Sequence, residues 1–244
     1  MVYLSFNQFI TAAEDLPGDS ENAGEASGET LPLRHTWVVW QQLMASSGSK
    51  SITYSESTRQ LATCDTVESF WSTWAQLPQP SELLTNRMVL SSGDGIGFHI
   101  VDAVMLFREG VTPQWEDPTN ADGGHLQFQF KASIGGGRID EYWNNVVLAV
   151  IGATLEPNEF ITGVRLVDKL SAGAASSAGQ NQRGDRGGNS TGHIRIEIWH
   201  SACDHKDVQA LLSSAEQCIA TRTLEGRTGG APPKAEVKAH KRHQ

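Results

Sequence analysis

Cysteine is scarce in this 244-residue sequence, and the three present (Cys64, Cys203 and Cys218) cannot all pair with one another. Their spacing matches no zinc pattern, because Cys203-x-His205 lacks a second ligand pair. A disulfide-stapled scaffold and a metal site are therefore not expected, and a reducing compartment is. No run of eighteen apolar residues occurs, and the first twenty positions have neither a basic start nor an apolar core. The expectation is a soluble, cytoplasmic chain with no membrane partner. Basic residues are missing from positions 1 to 33, where Glu14, Asp15, Asp19, Glu21, Glu25 and Glu29 stand. The net charge of -9 argues against a broad phosphate-tracking surface. Once those six acids are set aside, 22 acidic residues face 19 basic ones, which leaves room for a local basic pocket.

Two stretches have little to bury. Residues 1 to 30 are acidic and rich in Gly, Ser, Glu and Ala, and are expected to be a mostly disordered tail. Residues 171 to 192, SAGAASSAGQNQRGDRGGNSTG, are expected to be a flexible insertion between two strands. One domain over 31 to 240 and a short tail at 241 to 244 complete the division.

Alternation marks the clearest strands. His125 to Lys131 and His193 to Trp199 each place three apolar side chains on one face and polar ones on the other, as half-buried antiparallel strands do. Weaker signals lie at Thr36 to Trp40, Phe98 to Phe107, Gly163 to Asp168 and Ala235 to Ala239. Helical spacing appears in Val67, Phe70, Trp74 and Leu77 after a capping-box-like Asp65 and Glu68, then from Ile139 to Ile151 with Gly152 as a stop, then from Asp204 to Ala220. Three helices among antiparallel strands indicate an α+β domain with helices on one face of a sheet.

The glycine clusters 93–97 and 135–137 lack the Lys-Ser/Thr ending of a P-loop and read as loops. No nucleophile-elbow sequence or other enzyme motif occurs, so an enzyme is unsupported. Tryptophan is the informative residue, with seven copies. Trp37, Trp40, Trp74 and Trp143 fall on strand or helix faces and read as core. Trp115 instead sits in the polar, proline-bracketed segment Thr112 to Pro118, where a binding role is more natural. A ring with a carboxylate beside it suits a 7-methylguanine base. The base's delocalised positive charge adds cation–π attraction to stacking, and the acid accepts from its N1–H and N2 amino group together.

Asp65-Thr66-Val67-Glu68-Ser69-Phe70-Trp71 resembles the D-T-V-E-x-F-W segment of the initiation factor 4E family. Phe107 to Asp117 is similar to the family's F-x-x-G-I-x-P-x-W-E-D segment. Leu31-Pro32-Leu33, Trp37, Trp40, Gly123-Gly124, Trp143, Ile151-Gly152, Ile196-x-Ile198-Trp199 and Pro232-Pro233-Lys234 agree in order and approximate spacing. The resemblance implies a curved antiparallel sheet with the mRNA cap site on its concave face and three helices on its convex face. It implies binding of the 7-methylguanosine cap with no catalysis, no cofactor and no metal. Trp115 and Glu116 take the roles of a stacking ring and base-binding acid, and Trp199 that of the ring touching the N7-methyl. The other stacking ring falls seventeen residues before Trp71, on Tyr54, whose alternative is an exposed loop tyrosine. Phosphate contacts are expected from Lys169 and Arg195, with Arg183 and Arg186 able to substitute from the insertion.

Alternation places Arg195, Glu197 and Trp199 on one strand face, as a shared pocket requires. On the convex side the family's partner site maps to Pro32, Val67, Trp71, Leu148 and Gly152, with Asn145 as a departure. This site is expected to take a scaffold of initiation factor 4G type or a 4E-binding repressor. Promotion of translation initiation is the leading expectation. A cap-occupying repressor or storage factor is the alternative, with a nucleotide-processing enzyme behind it.

Overall fold

A computed structural model describes residues 4–5, 30–44, 57–85, 88–91, 98–170, 192–220 and 233–240. The tail reading for most of 1 to 30, the insertion reading for 171 to 191 and the end segment 241 to 244 lie outside them, as do Tyr54, Arg183 and Arg186. The strands are β1 (Leu4–Ser5), β2 (Pro32–Leu43), β3 (Thr58–Thr66), β4 (Val89–Ser91), β5 (Phe98–Arg108), β6 (Gly124–Lys131), β7 (Ile161–Asp168), β8 (His193–His200) and β9 (Glu236–Ala239). Seven of them form the main antiparallel sheet in the order β3-β2-β5-β7-β8-β6-β9, and β4 pairs with the start of β5 and with β1. Strand β3, absent from the expectations, has no clean alternation. It is an outer strand with a single partner, so neither face is uniformly apolar.

Among the described residues three α-helices, α1 (Val67–Trp74), α2 (Gly136–Ile151) and α3 (His205–Ile219), pack on one side of this sheet. The first starts one residue later than its sequence signal. Thr66, not Asp65, is the N-cap, accepting from the Ser69 backbone N–H while Ser69 Oγ accepts from Thr66. Glu68 is thereby freed to accept from the Leu31 backbone N–H at 3.1 Å, which ties the entry of β2 to α1. The helix also ends at Trp74, short of Leu77. Helix α2 begins at Gly136, ahead of Ile139, because Gly135 takes φ +89° and lets the chain turn directly into the helix. Asp204 caps α3 by accepting from the Asp207 N–H at 2.9 Å.

The alternation of β6 and β8 sends Leu126, Phe128, Phe130, Ile194, Ile196 and Ile198 to the helix side, each at most 4% exposed. Against them lie Ile139, Val146, Val147 and Val150 of α2 and Leu211, Ala215 and Ile219 of α3. Each large apolar side chain so buried contributes about 1.5–3 kcal/mol. Phe70, Trp74 and Trp143 form a run of rings with centroids 5.5 and 5.9 Å apart, joining α1 to α2. The Trp74 indole N–H donates to Asn144 Oδ1 at 3.2 Å, and the Asn144 amide donates to Gln79.

The opposite face carries a second apolar cluster of Ala103, Met105, Phe107, Val111, Val167 and Trp199, with Trp40 half-buried beside it. Here Gly163 is obligatory. A Cβ at that position would stand 2.5 Å from Phe107 Cγ and 2.7 Å from the Leu106 carbonyl oxygen. Its absence lets the Phe107 ring lie across β7 and meet Trp199 edge-on at 5.3 Å.

Candidate functional site

The loop between β5 and β6 is built before it is decorated. Gly110 reverses the chain at φ +81°. Asp117, 6% exposed, then accepts from the backbone N–H groups of Thr112 and Thr119 at 2.8 and 2.9 Å. Burial alone pushes its pKa up, but these bonds outweigh burial and hold the carboxyl below its usual range. Asn120, fully buried, donates to the carbonyls of Thr112 and Gln114. Two polar pegs thus fix the segment that presents Trp115 and Glu116.

Both residues line a cavity of about 500 Å³ on the sheet face away from the helices, together with Gln114, His125, Arg165, Arg195, Glu197, Trp199, Ala239 and His240. Trp115 is 38% exposed. Trp199 is buried, and its ring has His125 stacked beside it, centroids 5.6 Å apart and planes 18° from parallel. The sequence-expected trio Arg195, Glu197 and Trp199 does converge here, because strand alternation turns all three to one face.

Charge in the cavity floor is organised around Glu197, 2% exposed. Its Oε2 accepts the Trp199 indole N–H at 3.1 Å. The guanidiniums of Arg165 and Arg195 flank it, each 3.7 Å away. Arg195 also donates to Gln127 at 3.0 Å, and Arg165 donates to Gln42. The register of β6, β8 and β7 (Gln127 opposite Glu197, Glu197 opposite Arg165) puts this row across the sheet.

The wall beyond Trp199 is a pair of histidines. The Asn120 carbonyl, 2.8 Å from His240 Nδ1, can only accept, so that nitrogen carries a proton. Neutral His240 then accepts at Nε2 from the His125 Nδ1–H, 3.0 Å away. Burial drives the His125 pKa down to about 4, with Glu197 opposing that shift and His240, Arg195 and Arg165 adding to it. His240 is lowered by the same cause. The pair is neutral at pH 7.

Lys169 does not line the cavity. It follows β7 as expected, but its ammonium pairs with Asp102 of β5 at 3.4 Å. Among the described residues the remaining partner candidates lie on the helix side: Trp71 is 49% exposed and Leu148 36%. Pro32 and Gly152 are exposed and Val67 is half-buried. Asn145 faces elsewhere. It is buried, and its amide donates toward the Ile219 carbonyl at the seam with α3, where the nearby Cys218 thiol also bonds to the Asn145 carbonyl.

Arg165, His125 and His240 were not anticipated. His125 was legible, since it shares the polar face of β6 with Gln127 and Gln129. Arg165 is hidden in a strand buried on both faces, and His240 reaches the cavity only through the pairing of β9 with β6. No group of three or more metal-ligating side chains occurs among the described residues.

The profile of the family "Eukaryotic initiation factor 4E" matches residues 32–225. A relative in Candida glabrata, eukaryotic translation initiation factor 4E, is 31% identical over 77% of this chain and 71% of its own length. Initiation factor 4E-2 of Schizosaccharomyces pombe is 29% identical over 77% of this chain and 60% of its own. The chain spans half to seven-tenths of the length of the first curated relatives it matches. Among solved structures, eIF4E-3 of Ascaris suum, crystallised with an m2,2,7G cap, matches with a TM-score of 0.59 at 20% identity, over 88% of this chain and 94% of that one. The eIF4E-3 of C. elegans, in complex with the 4E-binding protein Mextli, matches at 0.57 and 18%, over 87% and 95%. The curved antiparallel sheet and the helices packed on one side of it are thus those of a shared fold. This chain belongs to the eukaryotic initiation factor 4E family.

Proposed function

We propose that the chain binds the 7-methylguanosine 5′ cap of mRNA and, through its convex face, recruits a scaffold protein to promote translation initiation in the cytoplasm, without catalysis. The observation that carries this reading is the adjacency of Trp115 and Glu116 on a loop pegged by Asp117 and Asn120, facing a cavity backed by Trp199. A cationic base stacked on Trp115 gains cation–π attraction of about 0.5–2 kcal/mol beyond burial. Its N1–H and N2 amino group are both donors, and Glu116 supplies two acceptor oxygens. Trp199 offers an apolar ring edge for the methyl group, and Arg195, which lines the same cavity, is the cation a phosphate would meet. The relatives' printed names as initiation factors and the cap in the Ascaris complex support the same assignment. A regulatory 4E-binding protein is the alternative convex partner, as the C. elegans complex illustrates for that protein.

Retention on immobilised 7-methyl-GTP tests the reading. Trp115→Ala removes a stacking plane, and Glu116→Ala leaves two base donors unpaired, a loss of roughly 1–3 kcal/mol. Each variant is expected to lose most retention, and wild-type retention by either would remove the base site from this loop. The absence of any new product after prolonged incubation with the cap analogue separates binding from hydrolysis.

A further inference from the structure

The cations of this pocket already have an anion. Arg165 and Arg195 are its two guanidiniums, and the carboxylate of Glu197 lies between them, 3.7 Å from each. Glu197 is nearly sealed from solvent and cannot swing away, because its Oε2 is held by the Trp199 indole N–H. The two arginines are held from their far sides by Gln42 and Gln127. The row Gln42, Arg165, Glu197, Arg195, Gln127 is therefore a continuous polar floor, in which the two buried arginine Nε–H groups make no hydrogen bond. With Glu116 at the rim and the histidine pair neutral, the charged side chains lining the cavity cancel. Beyond the lining, Lys169 is paired with Asp102, and Lys238 with Glu236.

We propose that Glu197 is a specificity-determining residue: as the built-in counter-ion of Arg165 and Arg195 it suppresses the pull of the floor on a phosphate chain, so that the positive charge of the base decides what enters. This rests on the cap reading. Two consequences follow from electrostatics. A bare anion, such as the triphosphate of an unmethylated nucleotide, must compete with Glu197 for both guanidiniums and gains little. A cationic base is drawn by Glu197 as well as by Glu116. Cellular nucleoside triphosphates would thereby be kept out of a pocket that has two arginines in its floor.

Glu197→Gln is the discriminating variant, since glutamine keeps the shape and an acceptor for the Trp199 N–H while removing the charge. Binding of GTP, 7-methyl-GTP and 7-methylguanosine is measured by tryptophan fluorescence for both proteins. In the variant GTP is expected to tighten severalfold, up to about fivefold, the size of one partly screened ion-pair term. The nucleoside is expected to weaken or hold, so the preference for 7-methyl-GTP over GTP falls. A purely structural role for Glu197 cannot produce tighter GTP binding. Unchanged or weaker GTP binding, with the nucleoside still bound, overturns the proposal. If the variant does not fold, the unmodified protein decides. There the triphosphate is expected to improve on the nucleoside by less than about tenfold, with weak dependence on salt. An improvement of a hundredfold or more, falling steeply with salt, overturns the proposal. Failure of the unmodified protein to bind either methylated ligand would instead refute the cap reading, and this inference with it.

Discussion

Gly163→Ala connects the interior of the sheet to the pocket in a single methyl group. The added Cβ would lie 2.5 and 2.6 Å from Phe107 Cγ and Cδ1 and 2.7 Å from the Leu106 carbonyl oxygen. The oxygen belongs to the backbone of β5, and the ring is wholly buried, so neither yields cheaply. Overpacking of this kind costs about 1–3 kcal/mol. At about 2–4 °C per kcal/mol for a chain of this size, the melting temperature should fall by several degrees. Relief by displacing Phe107 would push on Trp199, whose ring meets Phe107 edge-on at 5.3 Å, so ligand affinity should fall together with stability. Urea denaturation and fluorescence titration with 7-methyl-GTP measure the two effects. Gly137→Ala is the control, because nothing lies within 4 Å of its would-be Cβ and alanine is the better helix former, by about 0.5–1 kcal/mol. A Gly163→Ala protein as stable and as tightly binding as wild type would refute the claim that this glycine sets Phe107 against Trp199.

Trp71→Ala is expected to abolish capture of the scaffold while retention on immobilised cap is preserved, because Trp71 stands 49% exposed on the helix side and the cavity opens on the other. Loss of both activities, or of neither, would contradict the separation of the two surfaces. Stability should also depend on pH through the buried histidines. His125 titrates near 4 when folded and near 6.5 when unfolded, so its full contribution is present above about pH 6.5. That contribution shrinks as pH falls toward 4, by at most about 1.4 kcal/mol per pH unit, because the unfolded chain takes a proton the folded chain refuses. His200 and His240 shift in the same direction. Urea midpoints at pH 7, 6 and 5 should decline, less steeply in His125→Gln. A flat profile would count against a neutral, buried pair.

What the sequence by itself determined was whatever depends on short-range periodicity and on contiguous motifs. The alternation of His125 to Lys131 and His193 to Trp199 named the buried and pocket faces correctly, because a strand's side chains have no other choice. The helical spacing from Ile139 to Ile151 did the same for α2. The run Thr112 to Pro118 marked itself as a loop outside the core, and Trp115 there is 38% exposed and lines the cavity. Local competition blurred the boundaries. Thr66 with Ser69, not Asp65 with Glu68, forms the cap, and Glu68 instead bonds Leu31, 37 residues away in the chain.

Only the tertiary structure decided who shares the cavity. Arg165 meets Glu197 because β7 pairs with β8, and His240 meets His125 because the last strand returns to β6, 115 residues apart in sequence. Lys169 looks in sequence like a free phosphate ligand, and in the fold it has Asp102 beside it. Asn145 looks like a surface residue of α2, and α3 covers it. Charge compensation and burial of this kind are properties of strand pairing and helix packing over long separations, where hydrophobic burial chooses the neighbours and no local pattern records the choice.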